Sequence, residues 1–219
     1  MTDFAAARRK MVENQLRTNG ITDRRLIAVM AQLPREDFVP AARRDLAYID
    51  GVHQLPGSSG RSLAAPAPFA RMVQLAEVES TTKVLDIGCG TGYSAAVLAS
   101  LADSVVAVES DAELAAEARR HLAELGLDDA TVVEGPLEAG APSEAPFDVI
   151  ILEGAVREVP KTLFGQLAEG GRLVALLQEG AAAAAHLYVR SGDDVAGRPE
   201  FNTTLPPLGI STPNSEFVF

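Results

Sequence analysis

The sequence predicts an α/β fold: a mostly parallel seven-stranded sheet with helices on both faces, an antiparallel C-terminal edge and an N-terminal helical cap. Three observations carry that expectation. From Lys83 onward, short apolar runs of buried-strand type alternate with amphipathic helical stretches, the grammar of a parallel sheet covered on both faces. Before Asp50 the apolar spacing is helical. After about residue 180, strand-like runs follow one another with no helix between them, which requires antiparallel pairing.

In chain order, Ala5, Met11, Val12, Gln15 and Leu16 fit one amphipathic helix. Thr22 and Asp23 are caps for a second, whose apolar face is Leu26, Val29, Met30 and Leu33. Pro34 and Pro40 end it, and Leu55 to Ala70, rich in Gly, Ser and Pro, reads as an irregular loop. Val84 to Ile87 is the first core strand, followed by a helix from Tyr93 to Ala102. Ser104 to Val108 is the second strand, and Asp111 caps a helix that runs to Leu125 and stops at Gly126. Ala130 to Glu134 and Phe147 to Leu152 are further strands. Pro160 to Ala168 reads as a helix and Arg172 to Leu177 as the fifth strand. In the tail, Ala184 to Arg190, Phe201 to Leu205 and Glu216 to Phe219 are strand-like, and the alanine run 181–185 is too short to matter. We expect one domain: 1–70 as helical cap and substrate loop, 71–178 as α/β core, and 179–219 as the antiparallel edge.

Composition narrows the function classes. The chain has 219 residues, 47% of them hydrophobic, enough for a full core. Acidic residues outnumber basic ones 30 to 19, for a formal charge of −11, so nucleic acid is a poor partner. The basic groups Arg8-Arg9-Lys10 and Arg43-Arg44 are expected on solvated helix faces. One cysteine, Cys89, excludes an intrachain disulfide and a cysteine-rich zinc site. No apolar run approaches the roughly 20 residues that cross a bilayer, and Met1 to Lys10 has no apolar signal core. The expectation is a cytoplasmic protein with no membrane partner and no metal.

The chemistry sits in the turn Asp86-Ile87-Gly88-Cys89-Gly90-Thr91-Gly92. Its glycines let the backbone turn tightly and approach a ligand, and the following helix offers free N–H groups. Such turns serve nicotinamide and flavin cofactors as well as S-adenosylmethionine. Three details point to the methyl donor. The spacing is G-x-G-x-G, not the dinucleotide G-x-G-x-x-G. Asp86 repels a pyrophosphate but tolerates a cationic sulfonium. Glu109 ends the second strand, placed to accept from both ribose hydroxyls. The donor set expected from these residues is Asp86, Gly88, Gly90, Gly92 and Glu109. Cys89 is expected to be a small buried residue, not a nucleophile.

Further motifs extend this picture. Met11-Val12, Gln15-Leu16, Gly20-Ile21-Thr22-Asp23, Pro34-Arg35-Glu36, Phe38-Val39-Pro40 and Ala47-Tyr48-x-Asp50 resemble the start of protein-L-isoaspartate O-methyltransferases. The resemblance continues through Leu85-Asp86-Ile87-Gly88 and Gly92 to Leu98, then Ala145 to Asp148, Val159-Pro160 and Gln166 to Leu173. It spans residues 8–175 in colinear order and fades beyond them. It implies a Rossmann-like class I methyltransferase that transfers a methyl group from S-adenosylmethionine to the α-carboxylate of an L-isoaspartyl residue in a damaged protein or peptide. The ester then collapses to a succinimide that reopens to aspartate. A carboxylate is already a nucleophile, so alignment and desolvation supply most of the rate.

Three positions depart from the family pattern. The family loop close to T-I-S-Q-P reads Ser62-Leu63-Ala64-Ala65-Pro66, so the family serine, which holds or activates the acceptor carboxylate, is matched by Ala64. Ser62 keeps one hydroxyl nearby. The family G-D-G is Gly135-Pro136-Leu137, with Glu134 and backbone groups as substitutes for the lost aspartate. A family threonine after the fourth strand is matched by Glu153, which repels a carboxylate substrate unless it is protonated or turned away. Two alternatives stay open: the same donor with another, unidentified small acceptor, or a non-catalytic S-adenosylmethionine-binding protein. The acceptor is expected beside Arg61, Ser62, Leu63, Ala64 and Glu153, with Arg61 attracting a carboxylate and Tyr93 packing near the donor. His53 is the one histidine near the substrate loop, with a polar contact there as the lesser of its readings, and His121 is expected to be a surface residue. Ser58-Ser59-Gly60 is a flexible turn, and Asp148 a strand-start turn residue.

Overall fold

The computed structural model describes residues 2–57, 60–180 and 182–210. Capping sets the N-terminal helices. Asp3 accepts from the Ala6 N–H at 2.9 Å and opens α1 (Phe4–Met11), which runs on through one wider turn, Val12–Leu16. Asp23 caps α2 (Arg24–Met30), accepting from Arg25 N at 2.8 Å and Leu26 N at 3.3 Å, and Leu26, Ile27 and Met30 are its buried face. The segment read as a loop is more ordered than expected. It holds β2 (Ser62–Leu63), paired antiparallel with β1 (His53–Gln54) just before the segment, and then the start of α3 (Pro66–Ala76). Pro66 and Pro68 fall in the first turn of α3, where backbone N–H groups have no intrahelical partner, so these prolines start a helix instead of preventing one.

The core follows. β3 (Lys83–Ile87), α4 (Tyr93–Ala99), β4 (Ser104–Glu109), α5 (Ala112–Glu124), β5 (Ala130–Glu134), β6 (Phe147–Val156), α6 (Lys161–Phe164), β7 (Leu167–Glu179), β8 (Ala182–Ser191) and β9 (Asp194–Asn202) build a seven-stranded sheet. Its order is β5-β4-β3-β6-β7-β8-β9, parallel from β5 to β7 and antiparallel at β8 and β9. The chain leaves β3 toward one edge and returns to its other side at β6. That reversal makes a crevice at the C-terminal ends of β3 and β6, the place where α/β sheets bind ligands.

Strand alternation divides the core in two. Val84, Val105, Ala107, Val149 and Ile151 face α3, α4, α5 and the N-terminal helices. Leu85, Ile87, Val106, Val108, Ile150 and Leu152 face the other way, under Leu137, Val159, Leu163 and Leu208. Helices thus cover both faces, but the second is covered by the single turns Leu137–Ala139 and Lys161–Phe164.

Several boundaries differ from expectation. The helix expected over 160–168 shrinks to α6 because β7 begins already at Leu167, with a register shift between Phe147 and Val149 of β6 absorbing the extra length. The helix expected to reach Ala102 stops at Ala99. The strand expected at Phe201–Leu205 lies earlier, as β9, because the two-residue turn Gly192-Asp193 folds β9 directly onto β8. Ala182–Ala185 pairs with β7, so the alanine run is part of the sheet. The strand expected at Glu216–Phe219 lies outside the described residues, as do Ser58 and Ser59.

Candidate active site

Three carboxyl side chains meet at the crevice. Asp86 on β3 is two residues beyond Val84, Glu109 on β4 is two beyond Ala107, and Glu153 on β6 is two beyond Ile151. With a period of two, Asp86 and Glu109 project to the face covered by α4; Glu153 lies where the register of β6 shifts, and it reaches the same side in a cavity shared with Tyr93 and Ser94 of α4. Asp86 and Glu109 are 0% exposed. Ser94 Oγ, in the first turn of α4, donates to Asp86 Oδ2 at 2.6 Å, whereas Asp86 Oδ1 is buried without a partner. Burial pushes the Asp86 carboxyl up to about 7, against the Ser94 hydrogen bond and with the Glu109 charge adding to the rise.

The glycine turn lies directly beyond. Gly88, Gly90 and Gly92 have φ of 86°, 56° and 95°, which an L side chain rarely adopts. A Cβ on Gly92 would stand 3.0 Å from the Ala118 Cα, so this glycine lets the turn pack against α5. Gly90 N donates to Glu109 Oε2 at 2.9 Å, tying the turn to β4. Gly135 lies beside the same strand end, its N–H donating to the Glu109 carbonyl at 3.0 Å. Glu134, opposite Glu109 in the strand register, is exposed.

Glu109 is engaged by groups far away in sequence. Arg61 Nε donates to its Oε1 at 3.0 Å and Oε2 at 3.2 Å, while Ser110 N and Asp111 N donate to Oε1 at 2.7 and 3.0 Å. The Arg61 guanidinium also donates to Ser110 Oγ at 2.9 Å and to the Leu208 carbonyl. Arg61 does attract a carboxylate, but that of Glu109. Leu208 belongs to a segment the sequence reading left without a role. Ala155 N donates to Pro206 O and Leu208 N to Ala155 O, at 2.9 and 2.8 Å, which lays this segment along the end of β6. Leu208 Cδ1 then stands 2.5 Å from where a Gly88 Cβ would be, and Leu55 Cδ1 stands 2.6 Å from a Gly90 Cβ. Local periodicity carries no signal for a closure of this kind.

Of the residues expected on the acceptor side, Ser62, Leu63, Ala64 and Glu153 border one cavity of about 10 Å³, together with Cys89 and Ser94. Ala64 is held from behind by Arg35, which is fully buried. Its Nη2 donates to Ala64 O at 2.6 Å and its Nε to Ala47 O at 2.8 Å, and its guanidinium lies 4.8 Å from the Tyr93 ring centroid. Sequence reasoning placed Arg35 in a motif without a role; a buried arginine between two loop carbonyls is visible only after folding. Tyr93 is buried in an edge-to-face contact with Phe38, and its hydroxyl has no partner. Glu153 keeps some accessible surface as a residue, yet its Oε1 is sealed from solvent and unpartnered. Burial, reinforced by the Asp86 charge, pushes its carboxyl well above the usual range. Cys89 is buried, and burial together with Asp86, Glu109 and Glu153 raises its thiol far from ionisation.

Some expected residues lie elsewhere. His121 is buried, not on the surface: Leu114, Ala118, His121 and Leu122 share one face of α5, its Nδ1 is 2.8 Å from the Thr91 carbonyl, and Phe38 packs on its ring at 4.7 Å. His53 is buried in β1 opposite Leu63, with neither ring nitrogen hydrogen-bonded, and burial lowers its pKa. Arg8 is not solvated: it pairs with Glu36 at 3.1 Å and donates to the Tyr48 hydroxyl at 2.8 Å, joining α1 to the one-turn segments. Asp148 Oδ2 accepts from Lys83 N at 2.8 Å, aligning the starts of β6 and β3.

These residues fit S-adenosylmethionine. Asp86 Oδ1 is buried without a partner at the strand end that leads into the glycine turn, and carboxyl groups at three strand ends suit a cation and oppose a pyrophosphate. Comparison with known proteins points the same way. Residues 6–209 match the family model described as protein-L-isoaspartate(D-aspartate) O-methyltransferase, well past the point where the sequence resemblance fades. A Koribacter versatilis protein-L-isoaspartate O-methyltransferase is 46% identical over 174 residues, 80% of this chain and 78% of its own. A Rhodopseudomonas palustris protein-L-isoaspartate O-methyltransferase 1 is 40% identical over 211 residues, 94% of this chain and 84% of its own. A solved protein-L-isoaspartate O-methyltransferase superposes with TM-score 0.79 at 27% identity, covering 91% of this chain; the chain spans 65% of that longer one. A Plasmodium falciparum structure, solved with S-adenosyl-L-homocysteine, shares the fold at TM-score 0.76 and 20% identity, over 92% of this chain and 97% of its own.

Proposed function

The chain belongs to the protein-L-isoaspartate(D-aspartate) O-methyltransferase family, and from that premise we propose that it methylates the α-carboxylate of L-isoaspartyl residues in damaged proteins. It is an S-adenosylmethionine-dependent O-methyltransferase. The observation that carries the reading is the family match over residues 6–209, because it takes in the glycine turn and the loop Arg61–Ala64 together.

Asp86, Glu109 and the backbone at Gly88, Gly90, Gly92 and Gly135 hold the donor. Bound S-adenosylmethionine supplies a methyl group on a positively charged sulfur. Asp86, kept from water and hydrogen-bonded by Ser94, gives that charge a counterion, and the cation in turn favours the ionised form of Asp86. An acceptor carboxylate is ionised at neutral pH, so the chain needs no general base to make the nucleophile. Opposite charges cancel as the ester forms, and the dry setting of Leu55, Leu63, Phe69 and Tyr93 favours that loss of charge. Arg35 fixes the acceptor loop through the Ala64 carbonyl, and Ser62, Leu63, Ala64 and Glu153 border the acceptor. The cap, core and C-terminal edge act as one domain, with Leu55 and Leu208 closing the donor side from opposite ends of the chain.

The partner is a protein or peptide carrying isoaspartyl residues, and the charge of −11 argues against nucleic acid. Among the described residues no helix is long and apolar enough to cross a membrane, and we place the enzyme in the cytoplasm. The test is labelled-methyl transfer to an isoaspartyl peptide and its aspartyl twin. Base-labile label on the isoaspartyl peptide alone is expected. Equal labelling of both, or of neither, rejects the assignment.

A further inference from the structure

In the isoaspartyl reading Glu153 borders the acceptor, and an ionised carboxylate there would repel it. We propose that Glu153, carrying a proton, hydrogen-bonds the acceptor carboxylate and so supplies the contact that Ala64, lacking a hydroxyl, cannot make. This rests on the isoaspartyl reading and names the residue that fits the site to its substrate.

The geometry comes first. Glu153 follows Ile151, which pairs with Asp86, in the irregular stretch of β6 between Ile151 and Ala155. There it borders the same cavity as Ser62, Leu63 and Ala64. Its Oε1 and Asp86 Oδ1 are both buried and both without a hydrogen-bonding partner. A buried polar atom without a partner is costly, and here each of two neighbouring carboxyls has one. Only Asp86 has a donor, Ser94 Oγ at 2.6 Å, to support a charge.

Charge decides which carboxyl keeps the proton. The titratable and polar groups around Glu153 are Asp86 from β3, Cys89 from the glycine turn, Ser94 and Tyr93 from α4 and Ser62 from β2; among the described residues no lysine, arginine or histidine borders this cavity. Two carboxyls so placed cannot both ionise cheaply, and the one without a donor holds the proton. Burial and the Asp86 charge act in that direction on Glu153. A neutral carboxyl then offers one O–H donor, the same offer a serine makes. In the reaction, one acceptor oxygen accepts from Glu153 while the other forms the new bond to the methyl carbon. The S–CH₃ bond breaks, its electron pair stays on sulfur, and Glu153 keeps its proton throughout.

The test compares wild type, E153Q, E153A and E153A/A64S. Its readouts are steady-state methylation of an isoaspartyl peptide, calorimetric peptide affinity with S-adenosylhomocysteine present, and S-adenosylhomocysteine affinity alone. E153Q keeps an N–H donor, and its KM should stay within about threefold of wild type. E153A should raise peptide KM and Kd roughly ten- to hundredfold, with S-adenosylhomocysteine Kd within about threefold. Adding A64S to E153A should recover at least about tenfold, which a merely structural role for Glu153 would not produce. Wild type should also lose peptide affinity as rising pH ionises Glu153, and E153Q should not. The inference falls if E153A matches wild type, if E153Q is as impaired as E153A, or if E153A loses donor affinity as much as peptide affinity. Wild type that binds S-adenosylhomocysteine yet labels no isoaspartyl peptide overturns the isoaspartyl reading itself, and this inference with it. Wild type that labels the peptide beside an unimpaired E153A overturns the inference alone.

Discussion

Replacing Arg61 by methionine should make the donor-free enzyme less stable and the donor tighter. Arg61 is 4% exposed and Glu109 0%, and they pair at 3.0 Å. Removing one partner of a buried ion pair costs about 3–5 kcal/mol, because the other charge is left behind. Glu109 would still accept from Gly90 N, Ser110 N and Asp111 N, at 2.9, 2.7 and 3.0 Å, which places the loss at the lower end, about 3 kcal/mol. For a chain of this size that lowers Tm by roughly 6–12 °C. If Glu109 holds the ribose, Arg61 Nε competes with the ribose hydroxyls for the same two oxygens. Removing it should then tighten S-adenosylhomocysteine binding, by at most about 100-fold if the whole 3 kcal/mol is recovered. The assay is a thermal melt with and without S-adenosylhomocysteine, beside calorimetry. The gap between variant and wild type should narrow as donor saturates, because ligand stabilises only the folded state. An R61M enzyme with unchanged donor-free Tm, or with weaker donor binding, would refute the reasoning and assign Arg61 to the ligand itself.

Further expectations follow from single contacts. The Asp86 carboxyl, pushed up to about 7, binds a proton in the folded chain that the unfolded chain has already released above about pH 4. Donor-free stability should therefore fall as pH rises from about 4 to 7, and because the Glu153 carboxyl is raised as well and adds to the fall, D86N should reduce that slope in urea midpoints without abolishing it. Gly92→Ala places a Cβ 3.0 Å from Ala118 at a φ of 95°, and should cost about 1–3 kcal/mol in chemical denaturation and weaken donor binding. Arg35→Met leaves the Ala47 and Ala64 carbonyls without their buried donor, at about 1–3 kcal/mol for each. It should raise the KM for peptide more than that for donor, as measured by steady-state kinetics.

Much of the fold was legible because it is written in short-range terms. Ala130–Glu134 forms β5 over the range expected, and Asp111 accepts from Glu113 N and Leu114 N as the cap of α5. The two prolines of α3 were misread because their composition signals a loop while their position, in a first turn, permits a helix. His121 was misread for the opposite reason. Its neighbours Arg119 and Arg120 are charged, but its spacing from Leu114 and Ala118 put it on the buried face, and that periodicity was available. The Gly192-Asp193 turn was likewise a usable signal for the β8–β9 hairpin. Nothing local indicated that Leu208 would lie over the glycine turn.

The sequence by itself determined the alternation of strands and helices, the glycine turn and the identity of the three acids at the strand ends. Each depends on periodicity, capping or backbone freedom, which act over a few residues. Tertiary structure decided what those acids can do. Glu109 meets Arg61 from 48 positions earlier, and Arg61 meets Leu208 from 147 positions later. Asp86 is bonded by Ser94, while Glu153 faces it with an unpartnered oxygen. Charge state depends on burial and on which groups lie within a few ångströms, and those distances exist only once the chain has folded.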